Sequence, residues 1–148
     1  MGQDGAQQGQ VGLHPGHLGL RQRMGQAGDG AAAIGAMGDD LARFYHADVV
    51  QHEAPNRLNP AGAERGLAEI LAGAEAGARI MARQIYDIHT VTTAGDRVVL
   101  EFTWIGYLSR PVGMTKAGEA MRAHICQVIE FEDGLIIRQR TYDCFEPF

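Results

Sequence analysis

Two turn signals, Ala94-Gly95-Asp96 and Asp133-Gly134, each separate long runs of β-branched and aromatic residues. This arrangement predicts antiparallel hairpins for most of the second half of the chain. The run 83–93 (RQIYDIHTVTT) and the run 97–108 (RVVLEFTWIGYL) form the first pair. The second pair is 119–132 with 135–143. Between the pairs, residues 109–118 contain Pro111, Gly113 and Gly118 and read as a loop. A sheet of four such strands exposes a large apolar face and needs a cover.

The cover comes from the preceding segment. Residues 61–79 place Leu67, Ile70, Leu71, Ala74 and Ala78 at three- and four-residue steps, a helical stripe. Asn59 is the expected N-cap, with Pro60 in the first turn. Gly66, Gly73 and Gly77 weaken this helix, so tertiary packing must hold it. Upstream, 39–46 (DDLARFYH) reads as the end of a helix, with Leu41, Phe44 and Tyr45 at helical spacing. Residues 48–53 read as a short strand, and Pro55, Asn56, Asn59, Pro60 and Gly62 mark a loop. Helices followed by a meander give an α+β fold rather than alternating βαβ. Bent strongly, such a sheet forms a cone, and a pocket opens between sheet and helices.

The first 38 residues differ in texture. They hold more than half of the chain's 20 glycines and no aromatic residue. A segment of that kind buries too little to offset its ordering entropy, so 1–38 is expected to be disordered or weakly attached and 39–148 to be the folded domain. His14 and His17 in this stretch have no supporting shell and make a poor metal site. No zinc-ligand spacing occurs elsewhere, and no metal is expected. Cys126 and Cys144 lie outside any Cys-x-x-Cys motif and are expected to be free thiols acting as small buried hydrophobes. The net charge of −5 argues against a nucleic-acid partner. No apolar run approaches the roughly 18 residues of a membrane span. Without a secretory layout at the N-terminus, the expected setting is cytoplasmic.

Alternation along the strands sorts candidate pocket residues. In 119–132, Ala123, Ile125, Gln127, Ile129 and Phe131 form the apolar set, leaving Gln127 as a lone polar group facing inward. His124 belongs to the other set with Arg122, Cys126 and Val128, and reaches a ligand only if a bulge turns it. Leu100, Phe102, Trp104 and Gly106 share one face of 97–108, suited to a flat apolar ligand. On the last strand, Gln139, Thr141 and Asp143 alternate with Arg138, Arg140 and Tyr142. His52 and Glu53 point to opposite faces, so one of the two reaches the pocket.

The passage Phe44-Tyr45-His46-Ala47-Asp48-Val49-Val50-Gln51-His52-Glu53, followed by Pro55 and Gly62, resembles the first helix-to-strand passage of SnoaL-like domains. The stretch from Ile129 to Asp143 is similar to the final hairpin of the same family. The resemblance covers about 39–148 and implies the nuclear transport factor two-like fold: a strongly curved, antiparallel-rich sheet with N-terminal helices on its concave face. That superfamily includes polyketide cyclases, ketosteroid isomerases, epoxide hydrolases, dehydratases and non-catalytic binding domains.

In the cyclase-like members an acid near the end of the last strand serves as acid and base, and Asp143 is the nearest match. Ketosteroid isomerases place an Asp directly before a proline in the first strand; Glu53 is the nearest acid, displaced by one residue. Their oxyanion hole uses a Tyr and a protonated Asp, and Tyr45 or Tyr142 matches the first while no partner acid is evident. Limonene epoxide hydrolases carry an Asp where Thr141 stands, and an Arg and an Asp on the strand that here holds Phe102 and Trp104. None of the three is present, which argues against epoxide hydrolysis of that type.

The resemblance thus implies a cofactor-independent isomerase, cyclase or dehydratase moving a proton on a cyclic apolar carbonyl compound. Asp143, Glu53 and His52 are the catalytic candidates. Trp104, Phe102, Gln127, Tyr142, Asn56 and His124 are the candidates for binding a small apolar or aromatic ligand. The alternative is a ligand-binding or interaction domain of the same fold with no chemistry. A homodimer formed through the face bearing Arg122, His124, Cys126 and Val128 is expected in either case.

Overall fold

In the computed structural model the described residues are 38–148. The expectation of disorder for 1–38 therefore lies, apart from Gly38, outside the described residues. The elements in order are α1 (Gly38–Ala42), β1 (Tyr45–Glu53), β2 (Ala63–Arg65), α2 (Leu67–Ile80), β3 (Met81–Ala94), β4 (Arg97–Leu108), β5 (Ala120–Glu132) and β6 (Leu135–Phe145). The strands form one sheet in the order β2-β1-β6-β5-β4-β3. All neighbours are antiparallel except β1 and β6, which run parallel. This is the expected α+β architecture: a curved, unclosed sheet with the helices on its inner side.

The two hairpins follow the local signals. Gly95 and Gly134 both adopt positive φ, +57° and +77°, at the turns where β3 meets β4 and β5 meets β6. Register shifts interrupt the ladders between Ile88 and Thr90 and between Glu130 and Phe131. An extra residue bends the strand that carries it, which helps curl the sheet around its inner face. The second shift brings Ile136, rather than Ile137, opposite Phe131 and into the core.

Two expected helices are corrected. The segment 39–46 is helical only to Ala42, and Tyr45 already lies in β1, where it pairs with Ile136 and is buried. Its ring joins a core of Leu41, Val49, Ile70, Leu100, Phe102 and Ile129. The helix expected over 61–79 begins only at Leu67, because Ala63, Glu64 and Arg65 pair with Glu53, His52 and Gln51 along the free edge of β1. Asn59 is accordingly not the N-cap. That position is Gly66, whose N–H is bonded 2.7 Å from Glu69 Oε2 reaching back from the first turn. The chain reverses into β2 through Gly62 at φ +67°; a Cβ there would meet the Glu53 carbonyl oxygen at 2.6 Å. Leu67, Ile70, Leu71 and Ala74 of α2 pack on the core as the helical stripe predicts.

Candidate functional site

Pairing across the sheet arranges the inner face in rows. Phe145, Ala123, Trp104 and Tyr86 lie side by side on β6, β5, β4 and β3. The next row is Asp143, Ile125, Phe102 and Ile88. Then follow Glu53, Thr141, Gln127, Leu100 and Val91, and after them Gln51, Gln139, Ile129 and Val98. Side chains two apart share a face, so each row repeats the chemistry of its strands. The β1–β6 side of the inner face is polar and the β4–β3 side is apolar and aromatic, with Gln127 on the seam.

A cavity of about 430 Å³ lies between this face and α2. The helix contributes Gly73, Ala74, Gly77 and Ala78 to its wall, and a Cβ added at Gly73 or Gly77 would meet nothing within 4 Å. The small residues that weaken the helix also leave the space. On the opposite wall, Trp104 donates its indole N–H to Gln84 Oε1 at 2.9 Å, and the Tyr86 hydroxyl donates to the same oxygen at 2.9 Å. Phe145 meets the Trp104 ring edge-on at a centroid distance of 6.3 Å, and Tyr86 tilts against Phe102 at 6.1 Å. Trp104 lies across its own strand over Gly106, where a Cβ would collide with the indole and sit 2.9 Å from Met81 Sδ.

The polar wall is a connected set. The Tyr45 hydroxyl donates to Gln139 Oε1 at 2.9 Å, and Gln51 Nε2 donates to the same oxygen at 3.2 Å. Gln51 Oε1 accepts from Arg65 at 3.3 Å. The same guanidinium nitrogen lies 2.6 Å from Glu53 Oε2, whose side chain is only 14% exposed. Asn56 Nδ2 donates to Glu53 Oε1 at 2.6 Å, while Asn56 Oδ1 accepts the N–H groups of Leu58 and Asn59 at 2.9 Å each. Glu53 is therefore held on both oxygens. Asp143 is held differently: the Thr141 hydroxyl donates to its Oδ1 at 2.6 Å. Burial raises the Asp143 pKa and the Glu53 charge raises it further, against the lowering effects of the Thr141 bond and the Arg65 charge. Burial also pushes the Tyr45 phenol up to about 12, so it stays protonated at neutral pH.

Of the residues singled out in the sequence, Asp143, Glu53, Trp104, Phe102, Gln127 and Asn56 line the cavity. His52, His124 and Tyr142 do not, and their candidacy is corrected. His52 alternates outward from Glu53 and sits 2.9 Å from Glu64 on the neighbouring edge strand. His124 keeps the outward face because β5 pairs with β4 and with β6 in unbroken register from Ala123 to Glu130; its Nε2 lies 2.9 Å from Glu146. Tyr142 is paired with Cys126 on the outer face and is 47% exposed. Cys126 is partly buried there and Cys144 is exposed, so the reading of both as buried is corrected for Cys144. Arg65, Gln51 and Gln139 were not placed in the pocket by sequence reasoning, whereas Tyr45, which resembles the oxyanion-hole tyrosine of ketosteroid isomerases, does line it. The signal available was the alternation Gln51/Glu53 and Gln139/Thr141/Asp143; the missing fact was that β1 pairs with β6. Among the described residues no group of three His, Cys, Asp or Glu side chains is placed to hold a metal ion.

The chain belongs to the SnoaL-like domain family, whose model matches residues 27–139. Solved structures give the same fold at low identity. The hydroxylase candidate AclR of Streptomyces galilaeus superposes with a TM-score of 0.66 at 15% identity, covering 87% of this chain and 81% of its own. A polyketide cyclase candidate of Xanthomonas campestris pv. campestris gives 0.64 at 20% identity, covering 82% and 90%. A protein of ketosteroid isomerase-like fold from Catenulispora acidiphila, in complex with trimethylamine, gives 0.60 at 17% identity, covering 82% and 85%. No curated protein matches the chain by sequence. Among the described residues no helix is long and apolar enough to cross a membrane.

Proposed function

We propose that this protein is a cofactor-independent enzyme of proton transfer on a cyclic, mostly apolar carbonyl compound, in the manner of an isomerase, cyclase or dehydratase, with Asp143 as the acid–base group. The observation that carries the reading is the position of Asp143. It is a carboxyl of raised pKa on a cavity wall, at the boundary between the polar side and the row of Ile125, Phe102 and Ile88. A raised carboxyl pKa brings the acid closer to that of a carbon acid and suits it to take and return a proton near neutral pH. Asp143 removes a proton from the carbon next to the carbonyl, giving the enolate, and returns it at a second position or to a leaving oxygen. Gln127, across the register from Thr141, orients the carbonyl. The aromatic wall of Phe102, Trp104 and Phe145 holds the ring system. Glu53 is not the base in this reading, since both its oxygens are engaged.

The test is hydrogen–deuterium exchange at the α-carbons of planar cyclic ketones in deuterated buffer, followed by proton NMR. The wild type accelerates exchange, and Asp143→Asn loses on the order of 10²-fold or more of that rate. A wild type that binds these ketones but never accelerates exchange supports the second reading, a ligand-binding domain without chemistry. That reading draws on the saturation of Glu53 and Asn56, which leaves Asp143 without a second free acid.

A homodimer is proposed with this function. Its interface is the outer face bearing Arg122, His124, Cys126, Val128 and the exposed Tyr142. Light scattering at the monomer mass of 16.0 kDa at micromolar concentration overturns it. The cytoplasmic setting expected from the sequence belongs to the same proposal and is checked by cell fractionation.

A further inference from the structure

We infer that Gln139 is a second ligand-binding residue of the cavity, a fixed hydrogen-bond donor for an uncharged oxygen acceptor that the ligand carries in addition to its ketone carbonyl. This contact narrows the substrate class to ring compounds with two oxygen functions. It rests on the proposed reading of the cavity as the ligand site and not on Asp143 being the base.

The Gln139 amide is oriented by a chain of hydrogen bonds that starts at a group with only one sense. A guanidinium donates and never accepts. Arg65 Nη1 lies 3.3 Å from Gln51 Oε1, so Gln51 turns its oxygen to Arg65 and its amino group the other way. That amino group donates to Gln139 Oε1 at 3.2 Å. The Tyr45 hydroxyl donates to the same oxygen at 2.9 Å, and its phenol, pushed up to about 12 by burial, keeps the proton it donates. Gln139 Oε1 thus has both lone pairs taken by residues of β1. The Gln139 amino group is left as a donor, and among the described residues no side chain or carbonyl accepts from it.

The cavity is where that donor opens. Gln139 is only 5% exposed and belongs to the cavity wall. Among the described residues the one side-chain polar atom sealed in without a partner is Thr115 Oγ1, so Gln139 Nε2 keeps open surface, and the cavity supplies it. A half-buried amide donor is unfavourable until an acceptor meets it. In register, Gln139 faces Ile129 while Gln127 faces Thr141, which makes the two glutamines diagonal neighbours on adjacent strands. Gln127 orients the ketone in the proposed function; an oxygen elsewhere on the same ring system reaches Gln139. A ligand N–H at that place would meet N–H and be disfavoured. Arg65, the one cation among the described lining residues, is engaged on Glu53 at 2.6 Å, so no cation on the wall is left for an anionic acceptor.

The experiment is a ¹H–¹⁵N NMR titration of the full chain, as wild type and as Gln139→Met, with α-tetralone and with its 4-hydroxy derivative, which differ by one oxygen. The wild type is expected to bind the hydroxylated ketone about three- to tenfold more tightly, the worth of one neutral hydrogen bond in a shielded site. The Gln139 side-chain amide protons, assigned by triple resonance, should move downfield with the hydroxylated ketone and stay in place with α-tetralone. In Gln139→Met the preference should vanish while α-tetralone binds as before. Equal affinities in the wild type, or a preference that survives in the variant, overturn the inference. A loss common to both ketones marks a merely structural role and overturns it as well. If the variant does not fold, the wild type decides alone: amide protons that do not move overturn it. A preference dependent on Gln139 in a protein that never exchanges ketone protons would sink the proposed function and leave this contact standing. Exchange that depends on Asp143 with no preference between the two ketones would do the reverse, and a protein that binds neither overturns both.

Discussion

The cavity exists because α2 turns small residues toward it, and this can be tested by filling the space from the helix side. Gly73 and Gly77 lie inside a 14-residue helix, and a Cβ at either meets nothing within 4 Å. Glycine in a helix interior is less favourable than alanine by about 0.5–1 kcal/mol, from backbone entropy in the unfolded chain. No overpacking term opposes the change, because the added methyls enter free volume. The double variant Gly73→Ala/Gly77→Ala should therefore be more stable by about 1–2 kcal/mol, which for a domain of this size raises Tm by about 3–10 °C. Urea melts should show a higher midpoint at unchanged slope, the signature of a stability change without a change in the surface exposed. The same methyls narrow the 430 Å³ cavity from the side opposite Trp104. Titrating the fluorescence of Trp104, the only tryptophan, with a planar polycyclic ketone such as anthrone should then show weaker binding. Stability and affinity are expected to move in opposite directions. A destabilised double variant would mean that α2 packs more tightly on the sheet than the structure has it. A stabilised variant with unaltered affinity would remove the cavity from consideration as the ligand site.

Asp143→Asn should stabilise the protein at neutral pH and have little effect near pH 3. The folded pKa of Asp143 is raised, so its contribution is fully present below the unfolded value and is lost as pH rises through the folded one; Asn removes that loss, and melts from pH 3 to 8 that show a constant difference would contradict the sign. Trp104→Ala should destabilise by about 1–3 kcal/mol, less than the roughly 3–5 of a fully packed aromatic, because one side of the indole borders the cavity. Unchanged binding of the ketone probe to that variant, followed through the probe's own absorbance, would place the ligand elsewhere.

Much of this protein is set by short-range signals that can be read from the chain alone. The turns at Gly95 and Gly134 and the alternation on either side of them fix four strands and group Phe102 with Trp104 and Thr141 with Asp143, because pleating leaves each residue only two directions; the register shift past Glu130 is what turns Asp143 to the face of Gln127. The same periodicity identifies the core stripe of α2. What lay beyond the sequence depends on pairing between distant segments. The parallel contact of β1 with β6 joins residues about ninety positions apart, and only that contact sets Glu53 beside Thr141, Gln51 beside Gln139, and the Tyr45 hydroxyl on Gln139. The segment 61–66 has the composition of a helix start, yet an unpaired strand edge offers its backbone better hydrogen-bonding partners, and Ala63–Arg65 becomes β2. That one exchange carries Arg65 into the site. The choice between His52 and Glu53 was likewise undetermined by alternation alone, which states that the two differ in direction but not which is inward. The sheet decides it, because the inner face of β1 is the one that meets Gln139 and Thr141 of β6. Local sequence therefore settles which residues face the same way along one strand, while long-range pairing settles which strands lie side by side, and the charged half of this pocket depends on the second.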